Sequence, residues 1–351
     1  MSARGRYRYL LGGAALCATA ELVAALLSPR AAAAGWLIGF ALASAVPVGS
    51  LVLLMIHRLT GGRWGEAVRP TLAAAAAAIP WLFLLILPLF IAIPLLYPWF
   101  GPAGGLERDV LAGYLNAPFF IARSLIALAG WSLLAILLPR HDGRRGQLLA
   151  AVGLVFHCTI IGAIGFDWLL SVAPPFASSS FGASLAVTQL IAALAFALLA
   201  APLRTDDPVA GDLGGLLLAL VLGLTYIDFM AVLVIWYGDV PETVAWFAAR
   251  LAPAWRALAI ASFVLGSLAP VVLLFSPRIR NNVRRLRLVA AGTLAGLACY
   301  HAYLLAPRFG VIALGPALLS VAATGLLLAA LIAGGLRLGH PRNVPEAAHG
   351  R

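Results

Sequence analysis

The chain has 351 residues, of which 63% are hydrophobic and only 11% charged, with a mean hydropathy of +1.00 and a formal net charge of +11. Those proportions exclude a water-soluble domain and point to an all-α polytopic membrane protein. All 24 basic residues are arginine, so a retinal Schiff base is excluded; the positive charge is the basic collar that anionic lipid attracts, not a nucleic-acid footprint.

A helix needs about 20 mostly apolar residues, rising about 1.5 Å each, to cross a bilayer. Ten runs are long enough: 10–28, 35–56, 71–97, 113–138, 148–171, 182–203, 213–237, 254–276, 288–306 and 311–336. The arginines alternate between the gaps. One set of gaps and both tails holds eighteen, from Arg4, Arg6 and Arg8 through the five between Arg278 and Arg287 to the last, Arg351. The opposite set holds Arg30, Arg108, Arg250, Arg256 and Arg308, and Arg123 lies inside the fourth run. This asymmetry places both termini in the cytoplasm. It predicts a single multi-pass membrane domain, and a miscounted run would have scrambled it.

The first run is already a full span, with no small-residue cleavage site after it, so it is expected to be retained. The third run carries Pro80, Pro88 and Pro94 after six alanines at 73–78, predicting a bent helix with one closely packed face. Tyr97, Trp99 and Phe100 then mark the outer interface. After the seventh run, Asp239-Val240-Pro241-Glu242 followed by Val244, Trp246, Phe247 and Leu251 predicts a short helix in the outer interface. Cys17, Cys158 and Cys299 stand alone in separate runs, without the C-x-x-C or C-x-x-C-H spacing of a metal or covalent-haem site.

Ionisable groups inside a membrane are costly, so each needs a partner or a task. Glu21, Arg123, Asp167 and Asp228 are the charged ones, and the topology puts all four in the outer half. His157 falls near mid-membrane, His301 in the outer half of the ninth run, and His57 closes the second run on the cytoplasmic side. Carboxylates and imidazoles exchange protons in a wet cavity, so Glu21, His57, His157, Asp167 and Asp228, modulated by Arg123, are proton-pathway candidates. The plainer reading is a buried ion-pair network that fixes helix register, with His157 and His301 merely hydrogen-bonded to neighbouring helices. No pair of histidines at matched depth suggests b-type haem.

The turn between the fifth and sixth runs, Gly165-Phe166-Asp167-Trp168-Leu169-Leu170-Ser171-Val172-Ala173-Pro174-Pro175-Phe176-Ala177-Ser178-Ser179-Ser180-Phe181-Gly182, resembles the D-W-x-M-S-L-D-P-H-W-x-S-T-x-x-G turn of a known family. That family is the second quinol-binding-type membrane subunit (ActF) of bacterial alternative complex III, within the NrfD and polysulfide-reductase superfamily. Further stretches match in order: His57-Arg58-Leu59-Thr60-Gly61-Gly62-Arg63-Trp64-Gly65, Tyr97-Pro98-Trp99, Tyr114 to Arg123, Leu233 to Glu242, and Pro345-Glu346-Ala347.

The resemblance implies two four-helix bundles, runs two to five and six to nine, flanked by the outer two. It implies a non-redox subunit of a quinol:cytochrome c oxidoreductase, supporting quinol access or proton transfer. Its partners would be a related NrfD-like membrane subunit and periplasmic subunits carrying iron–sulfur clusters and haem c. No cofactor is bound by the chain itself in that picture, apart from a quinone or quinol. This sequence departs from the family at Ala173 and Pro175, where an aspartate and a histidine suited to accept a quinol proton stand, and at Asp228, where A-F-S-Q becomes Asp228-Phe229-Met230-Ala231. Trp168, Phe176 and Phe181 are candidates to border the quinone, against the alternative of an ordinary interfacial aromatic belt. Two other functions stand beside this one. One is a purely structural anchor for periplasmic redox subunits. The other is a secondary transporter, for which the sequence shows no counterpart in its second half to the prolines of the third run.

Overall fold

In a computed structural model the chain is described over residues 3–101, 113–174, 178–205 and 207–338. These residues hold no β-strand and ten helices long and apolar enough to cross a membrane. Spans 1 to 5 are Tyr7–Leu27, Pro29–Thr60, Arg63–Ile91, Ala117–Arg140 and Gly143–Val172; spans 6 to 10 are Phe181–Ala200, Ala210–Gly238, Pro253–Leu274, Val283–Arg308 and Val311–Gly334. The count equals the one expected from hydropathy. Several helices begin or end a turn beyond the apolar run, because arginines and caps extend them into polar surroundings. Asn116 caps span 4 by accepting from the Phe119 N–H at 3.1 Å, with Pro118 in the first turn, and Asn282 caps span 9 by accepting from the Arg285 N–H at 3.1 Å.

Span 2 is the centre of the assembly. It is 32 residues long, roughly 48 Å at 1.5 Å per residue, and 83% of its most apolar stretch is buried, against 17% for spans 7 and 8. It packs against spans 1, 3, 5, 6 and 10. Spans 2 to 5 contact one another in a ring, as do spans 6 to 9, and spans 1 and 10 lie together beside span 2. Lipid tails are as apolar as leucine, so close packing and hydrogen bonds hold these helices together, not expulsion of apolar surface from water. Small residues permit the tightest crossings. The backbone of Gly49 in span 2 lies directly against Gln189 of span 6. At Gly296 of span 9, any Cβ would fall within 2.6 Å of the Gly266 Cα in span 8.

The prolines of span 3 have the expected effect. The helix is interrupted at Ala77–Ala78, continues as Leu82–Ile91 after a 3-10 turn, and breaks again before a last short turn, Ile93–Leu96. Span 8 differs from expectation. It passes through a π-helical segment, Val264–Leu268, just before Pro270, so the second half does contain an irregular helix. The π segment remains hydrogen-bonded and offers none of the unwound backbone with which transporters hold ions. The short helix after span 7 is present as Pro241–Ala248, with proline in its first turn, and Asp239 turns the chain into it with a left-handed φ of 43°.

Candidate functional site

The sequence-derived candidates fall into two separate places at the arginine-poor end of the bundle, with outliers. The first place is the hairpin of spans 4 and 5. Asp167 has no exposed surface, and Arg123 grips it with two hydrogen bonds, Nε to Oδ2 at 2.6 Å and a terminal nitrogen to Oδ1 at 3.0 Å. The same guanidinium donates to the Tyr114 carbonyl at 3.1 Å and lies over the Tyr114 ring at 3.9 Å, while the Tyr114 hydroxyl reaches Asp167. A bidentate pair with a further hydrogen bond and an aromatic face on the guanidinium is a geometry in which a buried charge can persist.

Trp168, the next residue, points into the core instead of bordering a ligand. Its indole N–H donates to Ser124 at 2.8 Å, its carbonyl accepts from the Tyr97 hydroxyl at 3.1 Å, and its ring meets Phe40 edge-on. Trp99 donates to Ser171 at 3.2 Å, and Ser171 donates to the Asp167 carbonyl at 2.6 Å. The Y-P-W and D-W segments are thus two sides of one hydrogen-bonded lock. Phe176 and Pro175 lie outside the described residues, as does the 345–347 tail; Ala173 follows a 3-10 turn at the end of span 5.

The second place is a cavity of about 720 Å³ enclosed by spans 6, 7, 8 and 9 and the Pro241–Ala248 helix. Its walls are mostly apolar, with Phe181, Phe229, Phe263, Trp246 and Phe247 among the aromatic members. Several hydroxyls face the cavity, and one polar cluster holds its carboxyl. Ser184 of span 6 donates to Asp228 Oδ1 of span 7 at 2.6 Å, and the Tyr300 phenol of span 9 sits against both. No arginine pairs with Asp228 among the described residues. The π segment contributes Ser267 to the same wall. A cavity within about 300–1,000 Å³, apolar apart from a few convergent polar groups, has the form of a small-molecule site.

The short helix covers one side of this cavity with Trp246 and Phe247, the residues expected at the lipid interface. Arg250 fastens it. Its guanidinium stacks on Trp246 at 3.3 Å and donates to the Trp246 carbonyl at 2.8 Å and the Leu304 carbonyl at 3.0 Å. Burial pulls its pKa down to about 10, opposed by Tyr303, so it remains charged at neutral pH.

The remaining candidates are dispersed. Glu21 is buried beside Ser320 of span 10 without a hydrogen bond of ordinary length. His157 is buried beside Trp131, ring centroids 6.0 Å apart, with neither ring nitrogen bonded. His57 lies at the arginine-rich end, 3.0 Å from the Gly62 carbonyl and 3.7 Å from Glu66. His301 is tied to the Leu297 carbonyl at 2.8 Å. Hydrogen bonds do not join these groups into one continuous route. Of the three aromatic candidates, Phe181 lines the cavity and Trp168 does not. Ser184, Tyr300 and Arg250 were not singled out in the sequence, since a serine or tyrosine in an apolar run gives no signal until its neighbours are known.

Among the described residues no group of histidine, cysteine, aspartate and glutamate could hold a metal ion. No protein-family model matches the sequence, and no curated protein aligns with it at a significant level. What the fold defines is a multi-pass α-helical membrane protein.

Proposed function

We propose that the protein is a non-redox membrane subunit of a quinol-oxidising electron-transfer complex of the alternative complex III type, and that quinol enters the cavity between spans 6 and 9. The cavity carries this reading. A quinol is a flat ring with hydroxyls and a long isoprenoid tail, and the chamber offers aromatic walls, one carboxyl–hydroxyl cluster and a flank made by spans 7 and 8, each only 17% buried over its most apolar stretch. Asp228, held by Ser184 beside Tyr300, is placed to accept a ring hydroxyl proton. It would stand in for the aspartate and histidine that the family carries at Ala173 and Pro175. Phe181 lines the chamber from the span 6 side.

In this reading spans 2 to 5 and 6 to 9 are two four-helix bundles, the arginine-rich end is cytoplasmic and the membrane is a bacterial inner membrane. Glu21, His57 and His157 remain candidates for proton exchange away from the cavity, and Arg123 with Asp167 for holding the first bundle in register. The partners would be an NrfD-like membrane subunit and periplasmic subunits bearing iron–sulfur clusters and haem c. Purification from native membranes tests this. We expect co-purifying redox subunits and a tightly held quinone that Asp228→Leu releases; a lone protein that retains no quinone overturns both parts.

One observation favours a structural anchor instead: Arg123 and Asp167 satisfy each other and leave no charge free for chemistry. Normal turnover of the complex with Glu21, Asp167 and Asp228 all neutralised would establish that second reading.

A further inference from the structure

A second concavity, of about 290 Å³, opens at the arginine-poor end where span 2 begins, span 9 ends and the broken tail of span 3 passes between them. Its walls are Pro94, Leu95, Leu96, Tyr97 and Pro98, and its only charged members are Arg30 and Arg308. Two guanidiniums sharing one recess repel each other, and each presents a planar fork of donors that suits an oxyanion. The arginines that are buried or partly buried near this end are committed, Arg123 to Asp167 and Arg250 to two carbonyls. Arg30 only faces the Phe309 ring, at 5.6 Å, and neither Arg30 nor Arg308 forms an ion pair among the described residues. Both stand in the gaps that this chain otherwise keeps poor in arginine.

What lies beneath the recess narrows the choice of anion. Leu84, Leu87 and Ile91 of span 3 are exposed and their spacing puts them on one side of the Leu82–Ile91 helix, and Leu95 is exposed in the short turn that follows the break. This apolar strip runs along the lipid-facing surface and ends at Leu95, which is itself a wall of the recess. An oxyanion seated between the arginines would therefore continue directly into a track for a hydrocarbon chain.

We propose that this recess binds the phosphate of an anionic phospholipid, with Arg30 and Arg308 as its forks and the Leu84–Leu95 strip receiving one acyl chain. A free phosphate shares the headgroup chemistry but makes no use of the strip. The site lies apart from the cavity of spans 6 to 9 and stands whether or not a quinol binds there.

The test is native mass spectrometry of the full chain, released from nanodiscs of mixed phosphatidylglycerol and phosphatidylcholine. The wild type should retain phosphatidylglycerol preferentially, and R30Q/R308Q should lose that preference at least tenfold while melting at the same temperature, since both side chains are exposed. Millimolar inorganic phosphate should not displace the lipid. Equal retention by wild type and variant overturns the proposal, and so does displacement by inorganic phosphate alone, which marks a free-anion site. Glu107 and Asp109, outside the described residues, supply an internal alternative. If phosphatidylglycerol is retained only by E107Q/D109N, the recess belongs to the chain's own carboxylates and the lipid proposal fails.

Discussion

The hairpin of spans 4 and 5 and the hairpin of spans 6 and 7 are the same device with different fillings. Each turns at the arginine-rich end, and each has an aspartate on its returning helix held by a donor 44 residues earlier: Asp167 by Arg123, Asp228 by Ser184. In the first, the donor is a guanidinium that uses both carboxylate oxygens, and indoles and hydroxyls close the space around it. In the second, the donor is a small hydroxyl bonded to one carboxylate oxygen, and the aspartate lines an open chamber. The length of one side chain separates a sealed ion pair from a carboxyl with room for a ligand. The same chemistry thus fixes one half of the molecule and equips the other.

The largest effect should come from unpairing the sealed half. Asp167→Ala leaves the Arg123 charge buried without a carboxylate and should cost about 3–5 kcal/mol, read as unfolding in detergent or by steric trapping in bicelles. Replacing both partners, as Arg123→Met with Asp167→Leu, should recover most of that loss, because uncharged groups of similar size need no partner. Asp228→Asn should cost far less, about 1 kcal/mol, since only a neutral hydroxyl bond changes. Comparable losses for Asp167→Ala and Asp228→Asn would erase the distinction between the hairpins.

A smaller effect should follow from crowding the walls of the open half. Gly296→Leu cannot be accommodated where span 9 meets the backbone of Gly266 without pushing span 8 outwards at its π segment. Overpacking of this kind costs about 1–3 kcal/mol. Displacement of Ser267 and Phe263 should also reshape the chamber and weaken quinone retention. Gly292→Leu, one turn away in the same helix and free of neighbours, is the control and should leave both quantities unchanged.

The sequence made the fold legible and the site only partly so, for physical reasons. Ten apolar runs and the bias of the arginines are summed over dozens of residues, so the span count survived local irregularities such as the breaks in span 3. The Arg123–Asp167 pairing was accessible because a charge in hydrocarbon demands an opposite charge. The cavity was not, because its polar cluster consists of a serine, a tyrosine and one aspartate on three different helices, brought together only by packing. Trp168 misled for the same reason. An aromatic residue beside a family-like turn reads as surface until Ser124 and Tyr97, distant in sequence, are found bonded to it. The π turn gave no compositional signal at all.

A swap of fillings tests the comparison directly and should move ligand binding more than stability. Ser184→Arg places a guanidinium opposite Asp228 with a chamber of about 720 Å³ to enter. It should pair with the carboxylate as Arg123 does and shift stability by no more than about 1–2 kcal/mol, attraction and desolvation opposing each other. Quinone retention should fall at least tenfold as the chamber fills. Unimpaired retention in a folded Ser184→Arg protein would mean that the ligand lies elsewhere.

The finest adjustment concerns Tyr114, which supports the sealed pair by its ring, its carbonyl and its hydroxyl. Tyr114→Phe keeps the ring 3.9 Å from the guanidinium and the carbonyl bond at 3.1 Å, and loses only the hydroxyl contact with Asp167. Arg123 already supplies two charged hydrogen bonds to that carboxylate, so the loss should be about 1 kcal/mol or less. Tyr114→Ala removes the aromatic face as well and should add about 0.5–2 kcal/mol. Trp246→Phe in the second half should behave like Tyr114→Phe, because Arg250 keeps a ring to stack on and its bonds to two backbone carbonyls. If Tyr114→Phe proves as damaging as Asp167→Ala, the phenol and not the guanidinium holds Asp167, and the size of the donor would no longer explain why one hairpin is sealed and the other open.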